Sequence, residues 1–221
     1  MTTPLVFIMG VQRSGTNALF RSLRVGAVAA YNEAHTSAVF DSMMLRPEPE
    51  VRGVLSNHQG PVLIKPISEI KRRSLADVFD EYSAHDLKVV WIYRDPVNCY
   101  ASHIERWTEF RGQESAFVDS WCARNRLVLD MLPSHGDRIV LVRYRDLIED
   151  IQLIKHVGNF LGIRGRYRFR PDSNKGRDVL SETRVRMLIE GTQEIWDALQ
   201  DSRSFEPSPS SLWRQRLARI A

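Results

Sequence analysis

Leu5-Val-Phe-Ile-Met9-Gly10-Val-Gln-Arg13-Ser14-Gly15-Thr16-Asn17 decides the fold class. Five consecutive apolar residues ending at a glycine predict a strand buried on both faces, the signature of a parallel sheet covered by helices. The residues from Thr16 to Leu23 follow helical periodicity, so the glycine-bearing segment between is a strand-to-helix turn. Such a turn offers backbone N–H groups and a helix N-terminus to an anion. Glycines at both of its ends permit tight turning and close approach of a phosphate. Gly10, Gln12, Arg13, Ser14, Gly15, Thr16 and Asn17 are therefore the candidate phosphate-binding set.

Further apolar runs lie at Val25 to Tyr31, Val62 to Ile64, Val89 to Tyr93 and Ile139 to Val142. Helical patterns fall between and after them, at Thr36 to Leu45, Leu75 to Tyr82, Val97 to Trp107, Ala116 to Leu132, Ile151 to Leu161 and Glu182 to Leu199. Alternating strands and helices predict an α/β, P-loop-containing three-layer fold: a central, mostly parallel sheet flanked by helices, with Leu5 to Met9 as an inner strand. The 221 residues fit a single domain, with 202–211 as a Ser/Pro-rich linker to a short C-terminal helix.

Composition narrows the partners. Hydrophobic residues make up 43% and charged residues 26%, and the net charge of +4 suits an anionic ligand without demanding one. Basic runs such as Lys71-Arg72-Arg73 are too short to predict nucleic-acid binding. With two cysteines no disulfide framework is expected, and with no long apolar stretch no membrane insertion is expected. A cytoplasmic protein is the expectation.

The loop departs from a Walker A sequence, whose lysine position is here Thr16, while the cation sits inside the loop at Arg13. A kinase or other phosphotransferase stays open as an alternative, as does a non-catalytic nucleotide-binding module.

With that arginine, the loop resembles the 5′-phosphosulfate motif of the PAPS-dependent sulfotransferase superfamily, and further matches follow in the family's order. Tyr93-Arg94-Asp95-Pro96 through Ser102 is similar to the 3′-phosphate motif, with Arg94 and Ser102 as the implied contacts. Tyr144-Arg-Asp146-Leu147, with Phe160-Leu-Gly162 after it, resembles the stretch whose tyrosine lies against adenine, though Tyr144 also reads as core. Ser173-Asn-Lys175-Gly176-Arg177 resembles the loop that closes over the 3′-phosphate. The resemblance implies transfer of a sulfuryl group from 3′-phosphoadenosine 5′-phosphosulfate (PAPS) to a hydroxyl or amine of a small-molecule or saccharide acceptor, leaving PAP, with no metal expected.

It also implies where the base lies. Asn32-Glu33-Ala34-His35 is similar to the E-P-H stretch of glycosaminoglycan enzymes, which makes Glu33 the base and His35 a helper. Lys65-Pro66-Ile67 resembles the K-T-H strand of the cytosolic branch, but Ile67 replaces its histidine, leaving Lys65 beside the donor. Glu69, two residues on, is the alternative base.

Overall fold

A computed structural model describes residues 4–150, 152–165, 167, 169 and 180–204. β1 (Pro4–Met9) forms where expected. It lies between β5 (Val62–Lys65) and β6 (Asp86–Tyr93), and β2 (Ala29–Asn32) and β7 (Ile139–Arg143) complete a five-stranded sheet in the order β2-β5-β1-β6-β7. Every pairing in it is parallel, so all five strands end at one edge.

The alternation along β1 creates the layers. Leu5, Phe7 and Met9 point into one core, and Val6 and Ile8 into the other. The first core is closed by α2 (Glu48–Ser56), α3 (Leu75–Glu81), the long α5 (Glu114–His135) and α8 (Glu182–Asp201), through Leu55, Phe79, Val128 and Leu199 among others. The second is closed by α1 (Thr16–Leu23), α6 (Tyr144–Glu149) and α7 (Leu153–Phe160), through Leu19, Leu147 and Val157. Trp91 of β6 is fully buried, and its indole N–H donates to Asn125 Oδ1 at 3.0 Å, which pins α5 to the sheet. Leaving that amide unpaired would cost about 1–3 kcal/mol.

Two segments differ from the sequence expectation. The residues from Val25 to Tyr31 do not form one strand: Arg24–Gly26 is a 3₁₀ turn, and only Ala29–Asn32 pairs. β2 is an edge strand, so its approach stays unburied, with Val25 61% and Val28 54% exposed. The second is Thr36 to Leu45, which is not a helix but a hairpin of β3 (Phe40–Asp41) and β4 (Met44–Leu45). Ser37 Oγ accepts from the N–H groups of Val39 and Phe40, giving the backbone an alternative to a helical turn. Ser42 and Met43 then take positive φ (46° and 71°) at the tip. The residues expected to form a C-terminal linker and helix lie mostly outside the described residues, from 205 onward. No described helix is long and apolar enough to cross a membrane.

Helix ends fix where side chains arrive. α4 (Pro96–Arg106) begins with Pro96 and with Asp95 as its cap, the carboxylate accepting from Asn98 N at 3.0 Å. Arg94 is thereby delivered at the end of β6. Gly162 ends α7 at φ 69°: Ile163 N bonds Gly158 O at 2.9 Å and Gly162 N bonds Asn159 O at 3.1 Å, a Schellman cap.

Candidate active site

The loop leaving β1 is shaped around its glycines. A Cβ on Gly10 (φ 143°) would lie 2.2 Å from Ile92 O, and one on Gly15 (φ 106°) 2.2 Å from Tyr144 Cδ2. The backbone therefore seats directly on β6 and on the Tyr144 ring. Arg13 holds φ 69°, a conformation that costs an L-residue about 1–3 kcal/mol and is kept only where its surroundings fix it. They do: Arg13 Nε donates to Ser102 Oγ at 3.0 Å, and Arg94 Nη1 donates to the Arg13 carbonyl at 3.3 Å.

The loop is equipped for an anion. Gly15 occupies the N-cap of α1, and among the described residues no side chain caps the first-turn N–H groups, which leaves the positive end of the helix for a ligand. The Ser14 hydroxyl is buried and has no hydrogen-bond partner among the described residues. Buried polar groups are rarely left so. A phosphate accepted in the loop would satisfy both, so the donor set fits the 5′ end of PAPS.

Arg94 and Ser102 stand on either side of Arg13, and the Arg94 guanidinium stacks 4.7 Å from the centroid of Tyr144. Tyr144 opens α6 and is buried beneath the loop, its ring edge-on to Phe169 at 5.7 Å. It holds Gly15 and Arg94 from below. Lys175, Gly176 and Arg177 lie outside the described residues.

Across the cleft, Glu33 follows β2 and Lys65 ends β5, in neighbouring register. Both are buried, and Lys65 Nζ lies 3.5 Å from Glu33 Oε1, while Oε2 accepts from Ser68 N at 2.7 Å. Burial pushes the Lys65 ammonium below its ordinary value, and the Glu33 carboxylate pulls part of that back. Gln12, Arg13, Thr16 and Asn17 on one side, and Glu33, Lys65 and Ile67 on the other, line an open cleft of about 800 Å³.

Two expected contributors sit elsewhere. His35 is exposed on the turn after β2 and does not line the cleft. Glu69 is occupied: its Oε1 accepts from Leu45 N at 2.9 Å, and its Oε2 pairs with Arg73 at 2.9 Å, tying the β3–β4 hairpin down. Sequence reasoning passed over a second, smaller cavity of about 220 Å³ that shares Gln12 with the cleft and is lined by His103, Lys71 and Arg124. Its signal was the 117, 121, 124 spacing that brings Phe117, Trp121 and Arg124 to one face of α5.

The chain as a whole is similar to known proteins. A family model described as the sulfotransferase domain matches residues 3–170. No curated protein matches the sequence significantly. Among solved structures, a sulfotransferase from Alicyclobacillus acidocaldarius superposes with a TM-score of 0.63 at 16% identity, over 97% of this chain and 100% of that one. The sulfotransferase domain of the Synechococcus PCC 7002 olefin synthase gives 0.58 at 14% identity, over 90% and 94%. A Mycobacterium tuberculosis sulfotransferase gives 0.56 at 16%, over 88% and 77%. At these identities the superpositions establish a shared fold, and the match over residues 3–170 establishes more: the chain belongs to the sulfotransferase family and is an enzyme of sulfuryl transfer from PAPS.

Proposed function

We propose that the cleft performs this transfer with Arg13, Lys65 and Arg94 as its cations and Glu33 as its base. The observation that carries the reading is their arrival on adjacent strand ends of one sheet edge, Glu33 just after β2, Lys65 at the end of β5, the loop after β1 and Arg94 after β6. Ligand sites of open parallel sheets occupy that edge. The loop N–H groups, Ser14, Thr16 and Arg13 hold the 5′-phosphosulfate. Arg94 and Ser102 hold the 3′-phosphate, assisted by Lys175, Gly176 and Arg177.

PAPS supplies the sulfuryl group. As the acceptor oxygen or nitrogen bonds to sulfur, the bond from sulfur to the bridging oxygen breaks, and its electron pair leaves on the 5′-phosphate of PAP. Arg13 and the loop dipoles meet the charge that develops there, and Lys65, which lines the same cleft, shares it. The acceptor's proton passes to the Glu33 carboxylate, which the Ser68 N–H and Lys65 orient. Ile67 in the cleft wall supplies no proton acceptor, which leaves that role to the carboxylate.

We take the acceptor to be a small molecule or saccharide and the site of action to be the cytoplasm, a reducing compartment that suits the two free thiols, Cys99 and Cys122. Thermal denaturation tests the donor reading: PAP should stabilise the protein without magnesium, and Mg·ATP should not exceed it. Stabilisation by Mg·ATP alone would make this a phosphotransferase, and PAP binding without turnover of PAPS over a broad acceptor panel would make it a binding module.

A further inference from the structure

The smaller cavity lies where α4 and α5 meet the loop, and its chemistry is one-sided. Arg124 of α5 reaches it half-buried, and among the described residues it has neither a hydrogen bond nor an ion pair. Lys71 enters from the rim, likewise without an ion-pair partner within 4 Å. Among the described residues, no aspartate or glutamate lines the space. The carboxylate charge that acts on Lys71 is that of Glu33 in the main cleft. Burial and then the charge of Arg124 push the Lys71 ammonium down, against a smaller upward pull from Glu33, and burial followed by Arg13, Arg124 and Lys71 pushes His103 down, against a smaller pull from Glu109, so the cations around the cavity repel one another. The rest of the wall is aromatic: Phe117 and Trp121 come from the same face of α5 as Arg124, and the His103 ring packs at 4.8 Å from Phe110. At about 220 Å³ the space admits one ring with its substituents, well below the usual volume of a drug-sized site.

Gln12 belongs to both cavities, so a molecule filling the smaller one touches the phosphate loop as well as the two cations. We propose that this cavity is the acceptor site and that it takes a phenol carrying a carboxylate, the ring on Phe117 and Trp121 and the anion between Lys71 and Arg124. The assignment rests on the reading of the main cleft as the donor site, since it makes the phenol oxygen the nucleophile that bonds to sulfur, its proton going to Glu33 and the bridging electron pair to the 5′-phosphate. Charge-assisted contacts to these two cations would select the anion over a neutral molecule of the same shape.

The test is calorimetric titration of the full chain with 4-hydroxybenzoate and with 4-hydroxybenzamide, each without nucleotide and at saturating PAP. The acid should bind at least about tenfold more tightly than the amide in both conditions. Arg124→Met should abolish that preference, and Lys71→Met should reduce it, with PAP affinity unchanged in both variants. Absence of acid binding, equal affinity for acid and amide, or a preference that survives both substitutions would overturn the proposal. Displacement of the acid by PAP would overturn it differently, by making the cavity part of the donor site. If the acid preference holds while PAP fails to bind, the donor reading is refuted and the selectivity of the cavity stands.

Discussion

Replacing Glu33 by glutamine separates the chemistry of the site from its stability. Glutamine keeps the shape and an oxygen for the Ser68 N–H, so the segment after β2 stays in place. What disappears is the charge facing Lys65, whose side chain is 6% exposed and whose counter-ion lies at 3.5 Å. Breaking a buried pair by removing one partner costs about 3–5 kcal/mol. The separation here is long for an ion pair, which places the loss near about 3 kcal/mol, or roughly 6–12 °C in Tm for a chain of this size. Lys65 already has a folded-state pKa below its unfolded value of 10.5. Between those two values the unfolded chain binds more protons, so stability rises with pH. Without the upward pull of Glu33 the folded-state value drops further. The defect should therefore be largest at neutral pH and shrink as pH climbs toward 10.5. Turnover, followed as PAP release from PAPS in the presence of acceptor, should fall about 10²–10⁴-fold while PAP affinity holds. The combined variant Glu33→Gln with Lys65→Met removes the stranded charge and should regain most of the Tm without regaining turnover. A Glu33→Gln protein with ordinary turnover refutes the base, and one with unchanged Tm refutes the buried pair.

Arg94→Ala should weaken PAP about ten- to a hundredfold and adenosine 5′-phosphosulfate, which lacks the 3′-phosphate, much less. Equal losses in a binding titration would show that Arg94 only braces the loop through Arg13 and Tyr144. Gly15→Ala drives a methyl into the Tyr144 ring at positive φ, at about 1–2 kcal/mol for the backbone and more for the clash, and should abolish stabilisation by PAP. Retained PAP stabilisation in that variant would show that the loop is not seated on Tyr144. Glu69→Gln should lower Tm by a few degrees, because Leu45 N–H and Arg73 lose a charged partner, and leave turnover intact. Lost turnover at unchanged Tm would transfer the base to Glu69.

The parts of the site legible in sequence are those set by local rules. A glycine-bounded loop after an apolar strand, and R-D-P ahead of a helix, each fix a backbone and its flanking residues within a few positions, and the structure has both. The β3–β4 hairpin was not legible because its turn lacks the usual signal. Ser42 and Met43 hold positive φ with no glycine or asparagine, supported from a distance by Glu69 and by the buried Val39 and Phe40. Tertiary contacts outweigh propensity there. The helix at Glu48–Ser56 did carry signals, with Pro49 near its start and Glu48 and Glu50 in its first turn. They were masked by the longer helical pattern read just before it. Arg124 and Lys71 were unreadable for another reason: only packing brings a helix residue and a 3₁₀ turn 53 positions apart onto one cavity.

The strand order has a consequence for which nucleotides can serve. Glu33, Lys65, Arg13 and Arg94 stand at or just beyond the ends of four consecutive strands of the sheet. Adjacent strands stand about 4.8 Å apart, so the step from the carboxylate's strand to that of Arg94 is about 14 Å, fixed by backbone hydrogen bonds rather than by side chains. The sheet is in effect a ruler laid under the nucleotide. Side-chain substitutions can weaken its marks but cannot move them. A nucleotide anchored on Arg94 and lengthened by one phosphate would carry its reactive group past Lys65 and onto the strand end of Glu33, into the space the acceptor needs, however tightly it bound.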